Sequence, residues 1–492
     1  MSTSPSASRL TPEKLGGEPH QDRIAGPGAV DRGLTPLVLL CLVGVALRLL
    51  FLWLARGIDF VADEGFYVQS ALSWNHYGFY GDQYRYLWPP GYPFFLSQCL
   101  ALLEERGILL AKLIQVLASA SIGMSTMLIA RHVFGARAAR LAGAIWCIYL
   151  PLIGFTHTLW TETLFLAFFL PGVLLLLPLL DGDEHPAAAR RILSAGICFA
   201  AALYLKQALL LLIPVVACVL FLRSGTGLGR RLWPASLFLL AAAVPVLPWT
   251  LRNAEVYGRL VPMGSTLGEN AFRGLNARYT SFDTVLVGAD MRADGASPPR
   301  PRAGLTEAPA PGWERAEEIP NTIDRQGAGL ERGIEFARAH PAWLARSRVQ
   351  KLADWVAPLS FFLRHQALGG YADTGLGQPV VRRMTVIWAV VLPMFVLAFA
   401  VIGAARIPRR GAGILFGALF SYFLLTAFVV SMSRFRMPII PFCIVLAAGA
   451  MGKRPLTRPL PIAIGLSLLL ALWWVDLPLI GAVIGRAWGG PS

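Results

Sequence analysis

The sequence predicts an all-α polytopic membrane protein, and three observations support this fold class. Of the 492 residues, 55% are hydrophobic and 15% are charged, whereas soluble domains are about one-quarter charged. The mean hydropathy is +0.56. Several apolar stretches reach the roughly 17–25 residues that a helix needs to cross a bilayer. We therefore expect a lipid bilayer as the surroundings of the chain and exclude a large soluble enzyme.

The apolar stretches predict about eleven transmembrane helices, connected by polar loops of very different length. Two of them, 192–206 and 207–222, are short enough to be a broken or re-entrant pair. The predicted helices lie near 36–55, 108–130, 138–156, 160–180, 192–206, 207–222, 233–250, 384–404, 411–430, 436–451 and 459–476.

Composition divides the chain into five regions. Residues 1–34 are rich in Ser, Pro, Gly and charges, so we expect a disordered N-terminal segment. A transmembrane core follows over 35–250, interrupted by a first long loop at 56–107. A second long loop covers 251–383, C-terminal transmembrane helices cover 384–476, and a tail covers 477–492.

Basic residues orient the helices. They cluster in alternate loops, as in Arg190-Arg191, Arg230-Arg231 and Arg409-Arg410. Loops that stay in the cytoplasm carry an excess of Lys and Arg. This pattern predicts a cytoplasmic N-terminus and places both long loops on the outer face. The same distribution explains the net charge of +15 without a nucleic-acid partner.

The two long loops contain further structural signals. Pro89-Pro90-Gly91-Tyr92-Pro93 cannot lie inside a regular helix, so it breaks the chain before the apolar stretch 94–103. That stretch is too short to span and is expected at the interface. Residues 291–312 read as a flexible loop, and Ile334–Val356 has the alternation of apolar and basic residues of an amphipathic interfacial helix.

Ionisable residues near helix ends gather on the predicted outer face. They come from four separate segments: Asp63-Glu64, Glu162, Lys206, and Arg434 with Arg436. Charges at a membrane boundary are costly and commonly functional. Adjacent carboxylates suit acid/base chemistry, and cations suit a phosphate group. We therefore expect a polar site where these segments meet.

Several motifs, in order along residues 35–450, resemble those of the protein O-mannosyltransferase superfamily. These are the GT-C fold glycosyltransferases that use polyprenyl-phosphate sugars, and the pattern is most similar to the bacterial branch with lipopolysaccharide galacturonosyltransferases and aminoarabinose transferases. The motifs are Asp63-Glu64, Pro89-Pro90-Gly91-Tyr92-Pro93, Arg131-His132-Val133-Phe134-Gly135, Trp160-Thr161-Glu162-Thr163-Leu164-Phe165, Leu205-Lys206-Gln207, Leu247-Pro248-Trp249-Thr250-Leu251-Arg252-Asn253, Gly268-Glu269-Asn270 with Gly274-Leu275-Asn276, and Ser433-Arg434-Phe435-Arg436-Met437-Pro438.

The resemblance implies a GT-C-type bundle that moves one sugar from a polyprenyl-phosphate donor, with inversion, on the outer face of the inner membrane. The acceptor would be lipid A or lipopolysaccharide, another envelope glycan or a protein. Asp63 would be the general base, supported by Glu64, and Glu162 would hold the acceptor or a divalent ion. The phosphate-binding candidates are Lys206, Arg85, Arg252, Arg434 and Arg436, and the candidates for sugar or acceptor contacts are Tyr67, Tyr86, Trp88 and Tyr92.

One departure from the family pattern concerns Trp88. Some relatives have Lys or His just before the Pro-Pro pair, and this chain has Trp88. A cation needed at that point would have to come from Arg85. Apart from the divalent cation that Glu162 would hold, we assign no cofactor. The six cysteines lie singly, without the spacing of metal ligands.

Other interpretations fit parts of the same pattern. Asp63-Glu64 can cap a helix, Lys206 can extend its amine to the interface, and Arg434 and Arg436 can bind lipid headgroups. A lipid-linked oligosaccharide ligase or flippase would share the basic outer face. A transporter would instead place charges near the bilayer midplane on broken helices in duplicated halves.

Overall fold

The computed structural model describes residues 27–58, 60, 63–78, 88–182, 187–225, 227–264, 270, 274–275, 322–429, 433–452 and 459–489. Within these residues the chain forms α-helices and short 3-10 turns, with no strand. The all-α prediction is confirmed.

The first half of the chain contains long apolar helices alternating with short ones. α1 and α4 are the longest of this half, at 28 residues each. The helices are α1 (Pro27–Leu54), α2 (Asp63–Tyr77), α3 (Gly91–Leu103), α4 (Gly107–Phe134), α5 (Ala136–Ile148), α6 (Leu150–His157), α7 (Glu162–Leu180), α8 (Ala188–Leu203), α9 (Leu212–Arg223), α10 (Leu228–Ala243) and α11 (Leu247–Tyr257).

The second half begins with two amphipathic helices and ends in apolar ones. The helices are α12 (Thr322–Ala339), α13 (Pro341–Val356), α14 (Phe361–Ala367), α15 (Pro379–Ala404), α16 (Arg410–Val429), α17 (Ile440–Ala450), α18 (Pro459–Val475) and α19 (Leu477–Gly489). The segment predicted as a tail therefore contains a helix. The single amphipathic helix predicted over Ile334–Val356 is two helices, because Pro341 has no N–H to continue the first one.

The chain is a multi-pass membrane protein. Six segments of the described residues are long and apolar enough to cross a bilayer, or up to eight if each of two bent helix pairs counts as one span. The pairs are α5 with α6, bent by 52°, and α18 with α19, bent by 63°. The predicted number of eleven exceeds this range because several apolar stretches, such as α9, are shorter than a span.

Helix α4 is at the centre of the bundle. It packs against α1, α3, α5, α6, α7 and α17, and it buries small and polar residues such as Gly123, Ser125 and Thr126. Small side chains let helix backbones approach closely in a membrane bundle. This packing fixes the ends of α3, α6 and α7 relative to one another.

The predicted break between 192–206 and 207–222 is present. α8 ends at Leu203, and Lys206 has extended backbone angles before the short turn Gln207–Leu209. The Pro-Pro-Gly turn lies against this break, since Gly91 N donates to the Tyr204 carbonyl at 2.9 Å. A side chain at Gly91 would place its Cβ 2.6 Å from the same oxygen.

We expect Gly91→Ala to lower the free energy of unfolding by about 1–3 kcal/mol, because the Tyr204 carbonyl is backbone and cannot turn aside. Thermal unfolding in detergent measures the effect. Gly229→Ala is the matched control, since a Cβ there meets nothing within 4 Å. Equal stability of the Gly91 variant and wild type would contradict the close approach.

Candidate functional site

The site is built on an interruption between two helices. α6 ends at His157, Thr158 has extended backbone angles, and α7 begins at Glu162. The four residues between them, 158–161, form what we call the connecting turn. Because the N-terminus of a helix carries a partial positive charge, a carboxylate in the first turn of α7 is stabilised there. The turn therefore holds Glu162 at a buried helix end.

Glu162 is paired with Lys206. The Lys206 Nζ lies 2.6 Å from Glu162 Oε1, and the other carboxylate oxygen accepts from the Thr161 hydroxyl at 3.3 Å. The Glu162 side chain is 2% exposed and that of Lys206 is 15% exposed. Both oxygens of Glu162 are thus engaged, which fixes the carboxylate and leaves Lys206 partly open to solvent.

Asp63 is paired with Arg434. The Arg434 Nη1 donates to Asp63 Oδ2 at 2.7 Å, joining the first residue of α2 to the short 3-10 helix Ser433–Ile439. The guanidinium carbon also lies 4.4 Å from the centre of the Trp160 ring, in the connecting turn. The face of the Trp160 ring attracts the guanidinium and restrains its orientation. This contact uses none of the N–H donors of Arg434.

The two ion pairs lie close enough to influence each other. Burial lowers the pKa of Lys206; the carboxylate of Glu162 opposes this shift, while Arg434 adds to it. Burial also acts to lower the pKa of Arg434, but the carboxylates of Asp63 and Glu162 outweigh it and raise that pKa. Burial, and then the charge of Asp63, raise the pKa of Tyr67. Asp63, Glu162, Lys206 and Arg434 thus form one cluster, which we call the paired-charge cluster.

Glu64 differs from its neighbour Asp63. It is 2% exposed, and its Oε1 accepts from the Leu159 backbone N–H at 2.6 Å. Gln115 of α4 supports the same segment, donating to the Thr156 and Thr158 carbonyls at 3.3 and 2.8 Å. These hydrogen bonds fix the backbone of the connecting turn and of the end of α6.

Three of the four predicted aromatic residues, Tyr67, Trp88 and Tyr92, pack together beside the cluster. The Tyr67 ring lies 5.3 Å from Trp88 and 4.9 Å from Tyr92. Tyr92 is fully buried, and its hydroxyl donates to Gln115 Oε1 at 2.7 Å. Tyr92 therefore serves packing, whereas the half-buried Trp88 lies nearer the surface.

Two predicted cations have other surroundings. Arg436 is 3% exposed and donates to the backbone carbonyls of Trp355, Ala357 and Leu359. Arg252 donates to Asn253 at 3.2 Å and lies against Trp249 and Tyr257, with ring distances of 4.9 and 5.9 Å. Arg436 thus ties the 3-10 helix to the link between α13 and α14.

Arg85 and Tyr86 lie outside the described residues. Trp160, Thr161 and Gln115 have roles in the site that the sequence did not assign. Trp160 and Thr161 stand in the motif that contains Glu162, so the motif carried the signal for them. Gln115 had only the weaker signal of a polar residue inside an apolar helix.

Within the described residues, no group of three or more His, Cys, Asp and Glu is arranged to hold a metal ion. His157 is the last residue of α6, and its Nε2 lies 2.9 Å from the Tyr371 hydroxyl. The chemistry that the cluster itself offers is proton acceptance by a carboxylate and binding of an anion by paired cations.

Comparison with protein-family models found no match, and neither did comparison with curated proteins. Among solved structures, the chain is similar to the oligosaccharyltransferase AglB from Archaeoglobus fulgidus with an inhibitory peptide and a dolichol-phosphate. The identity is 14% and the TM-score 0.46, over 94% of this chain and 57% of that one. The apo form of the Archaeoglobus fulgidus oligosaccharyltransferase gives 13% and 0.48, over 94% and 56%.

The chain is also similar to ArnT from Cupriavidus metallidurans bound to undecaprenyl phosphate, with 16% identity and a TM-score of 0.36, over 87% of this chain and 79% of that one. The chain spans little more than half the length of the archaeal chains.

We expect Lys206→Met to lower the free energy of unfolding by about 3–5 kcal/mol, because it leaves the buried Glu162 carboxylate without its cation. Thermal and denaturant unfolding in detergent measure the loss. Glu162→Gln in the same chain should recover part of it, since the uncompensated charge is removed.

The exposed Arg410→Met is the control, with an expected change within about 0.5 kcal/mol. Additive losses in the double variant would mean that the two side chains do not interact.

Proposed function

We propose that this chain is a membrane glycosyltransferase that moves a single sugar from a polyprenyl-phosphate donor to an acceptor on the outer face of the inner membrane. The observation that carries the proposal is the joining of two carboxylates and two cations, from four separate segments, around the connecting turn. This arrangement combines a proton acceptor with a binding site for a leaving phosphate.

Asp63 is the general base in this proposal. Its side chain is 21% exposed, against 2% for Glu162, so a hydroxyl from a second substrate can reach it. The acceptor oxygen attacks the anomeric carbon from the face opposite the phosphate, and its proton passes to Asp63. The bond from that carbon to the phosphate oxygen breaks, which inverts the configuration.

Arg434 and Lys206 stabilise the leaving group. The electron pair of the broken bond stays on the phosphate oxygen, so negative charge grows there as the sugar departs. Cations fixed in a partly buried site stabilise such charge more strongly than they would in water. Arg434 offers the planar set of donors that fits phosphate, and Lys206 offers a point charge.

The remaining residues of the site position these groups. Glu64 and Gln115 hold the connecting turn, which carries Trp160 beneath Arg434 and leads into Glu162. Glu162 fixes Lys206, and Arg436 fixes the short helix that carries Arg434. The half-buried Trp88 offers an aromatic face suited to a sugar ring, and the buried Tyr67 packs against it at 5.3 Å. Acceptors of the proposed reaction are envelope glycolipids, glycans or proteins.

We expect Asp63→Asn to reduce transfer about 100- to 10,000-fold, the usual contribution of a general base. Reconstituted protein is given a panel of undecaprenyl-phosphate monosaccharides as donors and an envelope extract as the source of acceptors. The release of undecaprenyl phosphate is then measured. Asp373→Asn, an exposed carboxylate outside the cluster, is the matched control and should keep the full rate. A folded Asp63→Asn protein that transfers at the wild-type rate would sink the assignment.

A further inference from the structure

The pair between Asp63 and Arg434 conflicts with the roles proposed for both residues. Asp63 Oδ2 already accepts a hydrogen bond from Arg434 Nη1 at 2.7 Å, so that oxygen is not open to an acceptor hydroxyl. The same N–H cannot bind phosphate while it is directed at Asp63. While the pair is closed, the cation weakens Asp63 as a proton acceptor, and the carboxylate weakens Arg434 as a phosphate-binding group.

Arg434 is placed to exchange one anion for another. Trp160 holds its plane from one face at 4.4 Å without using an N–H. Its Nε is buried without a hydrogen-bond partner in the described part of the chain. A guanidinium binds carboxylate and phosphate through the same edge, and phosphate offers more oxygens and more charge. The side chain therefore has donor capacity beyond the bond to Asp63.

The second ion pair is not equivalent. Glu162 is 2% exposed, and both of its oxygens have partners, so separating it from Lys206 would leave a buried carboxylate without compensation. Asp63 and Arg434 are 21% and 16% exposed, so water can solvate Asp63 when the pair opens. Exchange is thus less costly at the first pair than at the second.

We propose that Asp63 and the donor phosphate compete for Arg434, so that binding of the polyprenyl phosphate opens the pair and thereby frees Asp63 as the base. This inference rests on the proposed function and adds an order to it. The carboxylate is uncovered by the arrival of the phosphate. After transfer Asp63 releases the acceptor's proton to water, and its carboxylate closes on Arg434 again as the phosphate leaves. We call this competition between Asp63 and the phosphate for Arg434 the latch.

If Asp63 and the phosphate compete for Arg434, Asp63→Asn should raise the affinity for undecaprenyl phosphate while it lowers the rate of transfer. Asp63→Asn removes the competing charge, so undecaprenyl phosphate should bind at least threefold more tightly, although transfer falls about 100- to 10,000-fold. Arg434→Gln should weaken binding at least tenfold. In Arg434→Gln, the further change Asp63→Asn should leave affinity unchanged, because the shared partner is gone. Binding is measured on the reconstituted full chain with radiolabelled undecaprenyl phosphate.

Control variants and competitors separate the alternatives. Asp373→Asn removes an exposed carboxylate outside the cluster and should not change affinity, which tests for a general charge effect. Arg434→Lys keeps the positive charge but lacks the planar edge of the guanidinium. Its affinity for undecaprenyl phosphate should lie between those of wild type and Arg434→Gln. This variant also provides the test if Arg434→Gln does not fold. Phosphatidic acid and inorganic phosphate, added as competitors, should displace the polyprenyl phosphate poorly.

Unchanged or weaker binding by Asp63→Asn would overturn the latch while leaving the proposed function standing. An Asp63→Asn effect that persists without Arg434 would also overturn it. Displacement by phosphatidic acid at equal concentration would overturn the assignment of the phosphate to a polyprenyl lipid. Failure of the folded wild-type protein to bind undecaprenyl phosphate would instead remove the proposed function, and the latch with it.

Discussion

Charges withdrawn from water must be paired, and this constraint organises the region around the connecting turn. Glu162 is almost fully buried and is paired with Lys206, while Asp63 is paired with Arg434 beside it. An unpaired carboxylate at such a depth would cost several kcal/mol. The two ion pairs therefore join four segments that are distant in sequence.

Pairing alone would not place the charges accurately, and the helix packing supplies the rest. α4 fixes the ends of α3, α6 and α7, and its Gln115 reaches the carbonyls on either side of His157. Gly91 lets the Pro-Pro-Gly turn press against Tyr204, two residues before Lys206. The backbone that carries each charge is thus held by contacts that do not depend on the charge itself.

Much of this could be predicted from the sequence because membrane helices have a strong local signal. Apolar length predicted the all-α class and the positions of most helices. Pro89-Pro90 marked the start of α3, but Gly91, Tyr92 and Pro93, which were predicted to lie outside a helix, form its first turn. The exact ends of the helices could not be predicted as well. Pro341 divides the predicted amphipathic helix, and α9 is too short to count as a span.

The pairings within the site could not be predicted in the same way. Asp63 and Arg434 are separated by 371 positions, and topology indicates only that they share a face. Arg434 and Arg436 stand in one motif and were indistinguishable in sequence. The 3-10 turn directs one toward Asp63 and the other toward three backbone carbonyls. Such a difference depends on tertiary contacts, as does the position of Trp160 beneath Arg434.

The central claim is that the paired-charge cluster receives a polyprenyl phosphate. Structure determination of the reconstituted wild-type protein with bound undecaprenyl phosphate tests it most directly. We expect the phosphate oxygens within hydrogen-bond distance of Arg434, and the Asp63 carboxylate separated from that guanidinium. A phosphate bound elsewhere, with the Asp63–Arg434 and Glu162–Lys206 pairs both intact, would contradict the account.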